Sequence, residues 1–145
     1  MQIGRNWDEI KEILMRTKQI PKDISDSDEK HLRQRAKHVK YWLKYFAPDM
    51  IRFEVKKKMP KLKLGDDQKK FIFSFKEKIM PIAWGAEDIH NAIYEVSEKQ
   101  EITTKNAFKT IYQVLLGQDK GPRAGYFLSN LDKDFVLKRF EEAVK

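Results

Sequence analysis

The residues of this chain best placed for acid–base work or metal binding are His90, Glu87 and Glu95, close together on one helical stretch. The chain has three histidines, none in an HExxH or similar spacing, so no metal site emerges. His90 reads instead as a helix-surface or core-rim residue. The absence of cysteine removes a thiolate nucleophile, a thiolate metal site and a disulfide framework. There is no Walker loop, no GxGxxG and no GxSxG. By itself this chain is expected to catalyse nothing, and the search passes to binding.

The stretch Lys105–Leu131, KNAFKTIYQVLLGQDKGPRAGYFLSNL, carries the clearest binding feature. Thr103 or Thr104 can cap a helix whose apolar positions Phe108, Ile111 and Leu115 repeat at helical spacing, and Gly117 stops it. After the polar turn Gln118-Asp119-Lys120-Gly121, Pro122 suits the first position of a second helix, where its missing N–H costs nothing. Two helix ends then meet at Gly121-Pro122-Arg123-Ala124-Gly125, a corner with N–H donors, a guanidinium and little bulk. It is no P-loop, since no strand precedes it and the Gly-Lys-Ser/Thr ending is missing.

Charge points the same way. A formal net charge of +8 favours an anionic partner, and in 145 residues with 41% hydrophobic content and nine Phe disorder is not expected. No apolar run approaches the ~18 residues that span a bilayer, so no membrane partner is expected. The lack of cysteine and of a signal-peptide core fits a cytoplasmic protein. Within the second helix, Arg33, Lys37, Lys40 and Lys44 line one face as a basic stripe, near His31, His38, Tyr41 and Trp42. The stripe is either an RNA-backbone track or a solvated flank. The densest positive run, Lys56-Lys57-Lys58 with Lys61 and Lys63, reads as solvated.

Helices must position these groups. Asn6 and Glu9 bracket a first helix with Trp7, Ile10, Ile13 and Leu14 on its apolar stripe. A second runs from about Ser27 to Phe46, with Leu32, Ala36, Val39, Leu43 and Phe46 as its core face. Ile51–Val55 alternates as a short extended segment. Asp66 and Asp67 open a third helix (Phe71, Ile72, Phe75, Ile79), and a fourth after Gly85 buries Ile89, Ile93 and Val96. Asp132 caps the last, with Phe135, Val136, Phe140 and Val144 inward. The sum is an all-α fold of six or seven helices with at most one short strand. Residues 1–25 read as an N-terminal helix and linker that could belong to a preceding domain, and 26–145 as the main helical domain.

IYQVLLG, GPRAGYFL and LDKDFVLKRF, with WGAEDIHNAIYEV (from Trp84) and YWLKYFAPDMIRFEV (from Tyr41), resemble the C-terminal end of class I lysyl-tRNA synthetases. The resemblance implies a helical cage similar to the anticodon-binding domain of glutamyl-tRNA synthetases. The parent would be a class I lysine–tRNA ligase, attaching lysine to tRNA(Lys) with ATP and Mg in a Rossmann catalytic domain absent from this chain. Lys58-Met59-Pro60-Lys61 is no KMSKS loop, since Pro60 and Leu62 replace both serines and no HIGH partner exists.

The partners so implied are the anticodon stem-loop of tRNA(Lys) and the missing catalytic domain. The glutamyl enzymes read the anticodon at a helix-turn-helix corner, and the positions matching it are Tyr112, Gly121, Pro122 and Ala124, with Arg123 between. The glutamyl pattern has an arginine where Tyr112 stands and a glycine where Arg123 stands. Tyr112, Tyr126, Phe127 and Arg123 offer surfaces for stacking unpaired bases, although for Phe127 core packing is the favoured reading. Lys105, Lys109 and Lys120 are candidates for stem-loop phosphates, with Arg33, Lys37, Lys40 and Lys44 as further backbone contacts. The rival readings are a helical protein–protein module whose basic surface is merely solvated, and a free-standing DNA-binding domain.

Overall fold

The computed structural model describes residues 2–4 and 6–145. Its elements are α1 (Trp7–Arg16), α2 (Asp26–Tyr45), a 3-10 turn (Asp49–Ile51), α3 (Asp66–Ile79), α4 (Ala86–Lys99), α5 (Thr104–Leu116), α6 (Ala124–Asn130) and α7 (Lys133–Val144). No strand occurs among the described residues, so the fold is all-α. The expected extended segment differs: Ile51 closes the 3-10 turn, and the residues after it pair with no strand. The chain divides into two compact units, Met1–Glu54 and Val55–Lys145, with α1 and α2 in the first.

In the first unit, the Asn6 side chain caps α1 by accepting from the Glu9 N–H at 2.9 Å. The two helices are joined at Glu29, whose carboxylate accepts from Trp7 Nε1 at 2.8 Å and pairs with Lys11. Lys11 and then Trp7 hold that carboxyl below the usual glutamate range. α2 departs from the expected core face. Ala36 is buried and Leu32 and Leu43 are half-buried, but Val39 and Phe46 are exposed, Phe46 at 66%. Tyr41, Trp42 and Tyr45 are exposed as well, so the helix shows an aromatic arc beside its basic stripe.

The second unit holds the core. Phe71, Ile72, Phe75 and Ile79 of α3 are fully buried, as are Ile89 and Ile93 of α4, Ile111 and Leu115 of α5, and Val136 and Phe140 of α7. Phe71 stacks on Phe75 with ring centroids 5.6 Å apart, and Phe75 meets Phe140 at 5.7 Å. α4 packs on α6, and α3 on both α4 and α7. The α3–α4 connection is clamped to the α6–α7 junction: Trp84 Nε1 donates to Leu131 O, and Lys133 donates to Ile82 O. Every buried side-chain nitrogen and oxygen among the described residues has a partner.

Candidate nucleic-acid interface

The helix ends around the corner follow from local sequence. Thr103 caps α5 through Asn106 N–H, and Gly117 ends it in the left-handed region at φ 70°, where a β-carbon is disfavoured. α6 begins two residues later than expected. Pro122 lies outside it, and Arg123 is its N-cap with a non-helical backbone (ψ 112°). The carbonyl of Pro122 is tied to α5 instead: Tyr112 Oη donates to it at 2.6 Å. Gly121 sits beneath the same ring, and a Cβ there would come within 2.5 Å of it. The turn is braced on its other side by Asp119, which pairs with Lys109 at 3.0 Å and accepts from Gln113 at 2.8 Å.

Beside this turn opens a cleft of about 460 Å³. α4 supplies Ala86, Glu87 and His90, α5 supplies Phe108 and Tyr112, and the α6 end supplies Arg123, Ala124, Gly125 and Tyr126. α6 reaches α4 closely because position 125 has no side chain: a Cβ there would lie 2.3 Å from Ala86 O. His90, Tyr94 and Phe108 form an aromatic group along one wall, with centroids 5.0, 6.2 and 5.9 Å apart. The Arg123 side chain is exposed and makes no hydrogen bond or ion pair among the described residues. The cleft can therefore offer flat apolar walls, an exposed guanidinium and one carboxylate to a planar group.

Each expected residue has a definite place. Gly121, Pro122, Arg123 and Ala124 are together at the turn, Gly121 and Arg123 exposed and Ala124 buried. Tyr112 departs from the stacking role: it is only 9% exposed and its hydroxyl is spent on Pro122. Burial raises its phenol above the ordinary tyrosine range. Phe127 is core, at 3% exposure, whereas Tyr126 is 62% exposed. Lys105 and Lys120 are exposed, while Lys109 is engaged with Asp119. Arg33, Lys37 and Lys44 are exposed on α2, in the first unit, and Lys40 is half-buried there.

Sequence reasoning missed Glu87, His90 and Phe108 as cleft walls. Their helical spacing showed only which helix carries them, and the α4–α6 approach that aligns them depends on Gly125. A second hollow of about 670 Å³ is lined by Asp66, Asp67 and Glu101 and has the wrong charge for a polyanion. Among the described residues, no group of three or more His, Asp or Glu side chains is gathered as a metal would need. Among the described residues, no helix is long and apolar enough to cross a membrane.

A family profile described as "Anticodon binding domain" matches residues 28–144. Over its full length the chain is 33% identical to the lysine–tRNA ligase of Thermoplasma acidophilum, covering 28% of that protein. It is 34% identical to the lysine–tRNA ligase of Methanosphaera stadtmanae over 93% of the chain and 27% of that protein. With the lysine–tRNA ligase of Archaeoglobus fulgidus the identity is 34%, over 96% of the chain and 28% of that protein. The chain thus spans a little over a quarter of the length of these relatives. With α3 to α7 and the whole cleft inside the matched residues, the chain belongs to the anticodon binding domain family, and it corresponds in sequence to one region of lysine–tRNA ligases.

Proposed function

We propose that this chain is the anticodon-reading part of a class I lysine–tRNA ligase, and that the α4–α5–α6 cleft receives unpaired bases of the tRNA(Lys) anticodon. The observation that carries the reading is an open cleft beside the pinned turn, with Arg123 and Tyr126 exposed at its rim. Splayed bases can stack on Tyr126 and on the His90–Phe108 wall, while Arg123 covers or pairs with them. Gly121, Pro122 and Ala124 keep the rim low so that bases approach the backbone. Tyr112 acts through the turn rather than by stacking. Lys105 and Lys120 face the phosphates, and the α2 cations Arg33, Lys37, Lys40 and Lys44 add backbone contacts.

In this reading the parent enzyme attaches lysine to tRNA in the cytoplasm, using ATP and Mg bound by a catalytic domain outside this sequence. Residues 26–145 are its anticodon-binding domain, and residues 1–25 belong with what precedes it. Support comes from the family match beginning at residue 28 and from relatives that are lysine–tRNA ligases. Equilibrium titration of the full chain with lysine-tRNA anticodon stem-loops tests it. Loops changed at the second and third anticodon bases should bind more weakly, and equal affinity would remove base reading.

One observation favours a second reading, a protein-docking role. Tyr41, Trp42 and Tyr45 on α2 and Phe46 at its C-cap are all exposed, a composition typical of interface anchors. The base-reading cleft and the aromatic arc lie in different units of the chain. Trp42→Ala should then weaken binding to the catalytic domain of a lysine–tRNA ligase while leaving stem-loop affinity unchanged.

A further inference from the structure

We propose that Lys57, Lys58 and Lys61 form a fixed phosphate-contact ledge for the RNA backbone, held against the C-terminal end of α5 by the buried Arg139. The proposal deepens the function proposed above and takes its RNA from that reading. In the sequence this lysine run is indistinguishable from a solvated connection. Its backbone, however, is tied down where it starts, at Lys56 and Lys57.

The last carbonyls of a helix have no partner within it. At the end of α5, Leu115 O accepts from the Lys56 N–H at 2.9 Å and Val114 O accepts from Arg139 Nη1 at 3.4 Å. Arg139 Nη2 in turn donates to Lys56 O at 2.8 Å and to Lys57 O at 2.9 Å. Arg139 is only 2% exposed, and its nearest carboxylate, Glu142, stands 3.5 Å away at a largely solvent-facing position. Burying a guanidinium is costly unless its donors are satisfied. Here three backbone carbonyls satisfy them, and two belong to the lysine run.

Lys57, Lys58, Lys61 and Lys63 are exposed, and among the described residues no carboxylate is paired with any of them. The α5 dipole favours cations at this end, which accounts for one or two charges but not for the array. Ordering the backbone beforehand lowers the entropy lost when the array meets a ligand. The ledge also lies beside the proposed site. A Cβ added at Gly117 would sit 3.6 Å from Pro60 and 3.7 Å from Lys56 Cε, so the α5–α6 connection starts against the ledge and ends in the cleft. A polyanion leaving the cleft along that connection meets these lysines.

The test uses the full chain and a lysine-tRNA anticodon stem-loop, with affinity followed against salt concentration. A triple variant, Lys57→Gln with Lys58→Gln and Lys61→Gln, should lose about 0.7 of log–log slope per lysine, roughly 2 in all. Its preference for the cognate loop over loops with changed bases should stay as in the parent chain. A control triple, Lys18→Gln with Lys22→Gln and Lys99→Gln, removes the same charge at other exposed positions and should barely alter the slope. An unaltered slope in the ledge triple would mean that these lysines are solvated or face a protein, and would overturn the proposal. Equal slope losses in both triples would also overturn it, by tracing the effect to net charge. Loss of base preference in the unmodified chain would instead count against the cleft reading, with the slope comparison still interpretable.

Discussion

The hydroxyl of Tyr112 donates to the carbonyl of Pro122 at 2.6 Å, while the ring of Tyr112 roofs Gly121 with no room for a β-carbon. One buried side chain on α5 thereby fixes both the height and the direction of the turn entering α6. Tyr112→Phe keeps the ring and removes the bond, so it should cost about 1 kcal/mol, or roughly 2–4 °C in Tm. Gly121→Ala drives a methyl into the ring and should cost more, about 1–3 kcal/mol. Thermal melts of the two variants check the order, and a Gly121→Ala protein as stable as the parent would contradict it.

Arg123 lies at the helix N-cap, its side chain exposed and without a partner among the described residues. Arg123→Ala should leave stability within about 0.5 kcal/mol of the parent, because nothing folded depends on it. Loss of a base-stacking or pairing group should lower stem-loop affinity by about 1–3 kcal/mol, roughly 5- to 150-fold. Parallel melting and binding curves separate the two effects. A lost cooperative melt would make Arg123 structural.

Gly125 is where α6 touches α4, 2.3 Å being left between its absent Cβ and Ala86 O. Gly125→Ala must push the helices apart, at a cost of about 1–3 kcal/mol, because a backbone carbonyl cannot swing aside as a flexible side chain can. The separation also moves His90 relative to Tyr126, so stem-loop affinity should fall along with Tm. A stable variant with parental affinity would show that the cleft does not depend on this contact.

Two groups set the pH dependence around the turn. Lys109 first, and then Gln113, hold the Asp119 carboxyl below the ordinary aspartate value. A folded pKa depressed in this way stabilises fully above the unfolded value, about 3.9, and the contribution is lost as pH falls through the folded value. Tyr112 is the reverse case, its folded pKa being raised by burial. Its contribution is complete below the unfolded value, about 10, and disappears as pH rises through the folded one. Melts across pH should show Asp119→Asn flattening the acid limb and Tyr112→Phe flattening the alkaline limb. Both limbs unchanged would mean that neither group titrates with folding.

Much of the fold is legible in the residues themselves. The stripes of α3 and α4, the caps at Asn6, Thr103 and Asp132, and the stop at Gly117 are local signals, and all appear as read. Signals that depend on distant partners are not legible in this way. Pro122 has the chemistry of a first helical residue, yet it lies before α6, in a turn tied to a tyrosine ten positions earlier. Val39 and Phe46 fall on an apolar stripe of α2 but stay exposed, because periodicity shows which side is apolar and not whether anything covers it. Arg139 looks like a surface residue of α7 until its partners, 82 and 83 residues earlier, are seen.

The most direct measurement of the central claim is a photocrosslink from the anticodon itself. A stem-loop of lysine tRNA carrying 4-thiouridine at the second or third anticodon position would be irradiated with the full chain, and the joined peptide sequenced. Adducts at Tyr126, Arg123, His90 or Phe108, competed away by cognate loop and not by a loop with both bases changed, are the predicted result. Adducts confined to α2 or scattered over surface lysines, with no competition difference between the loops, would contradict it.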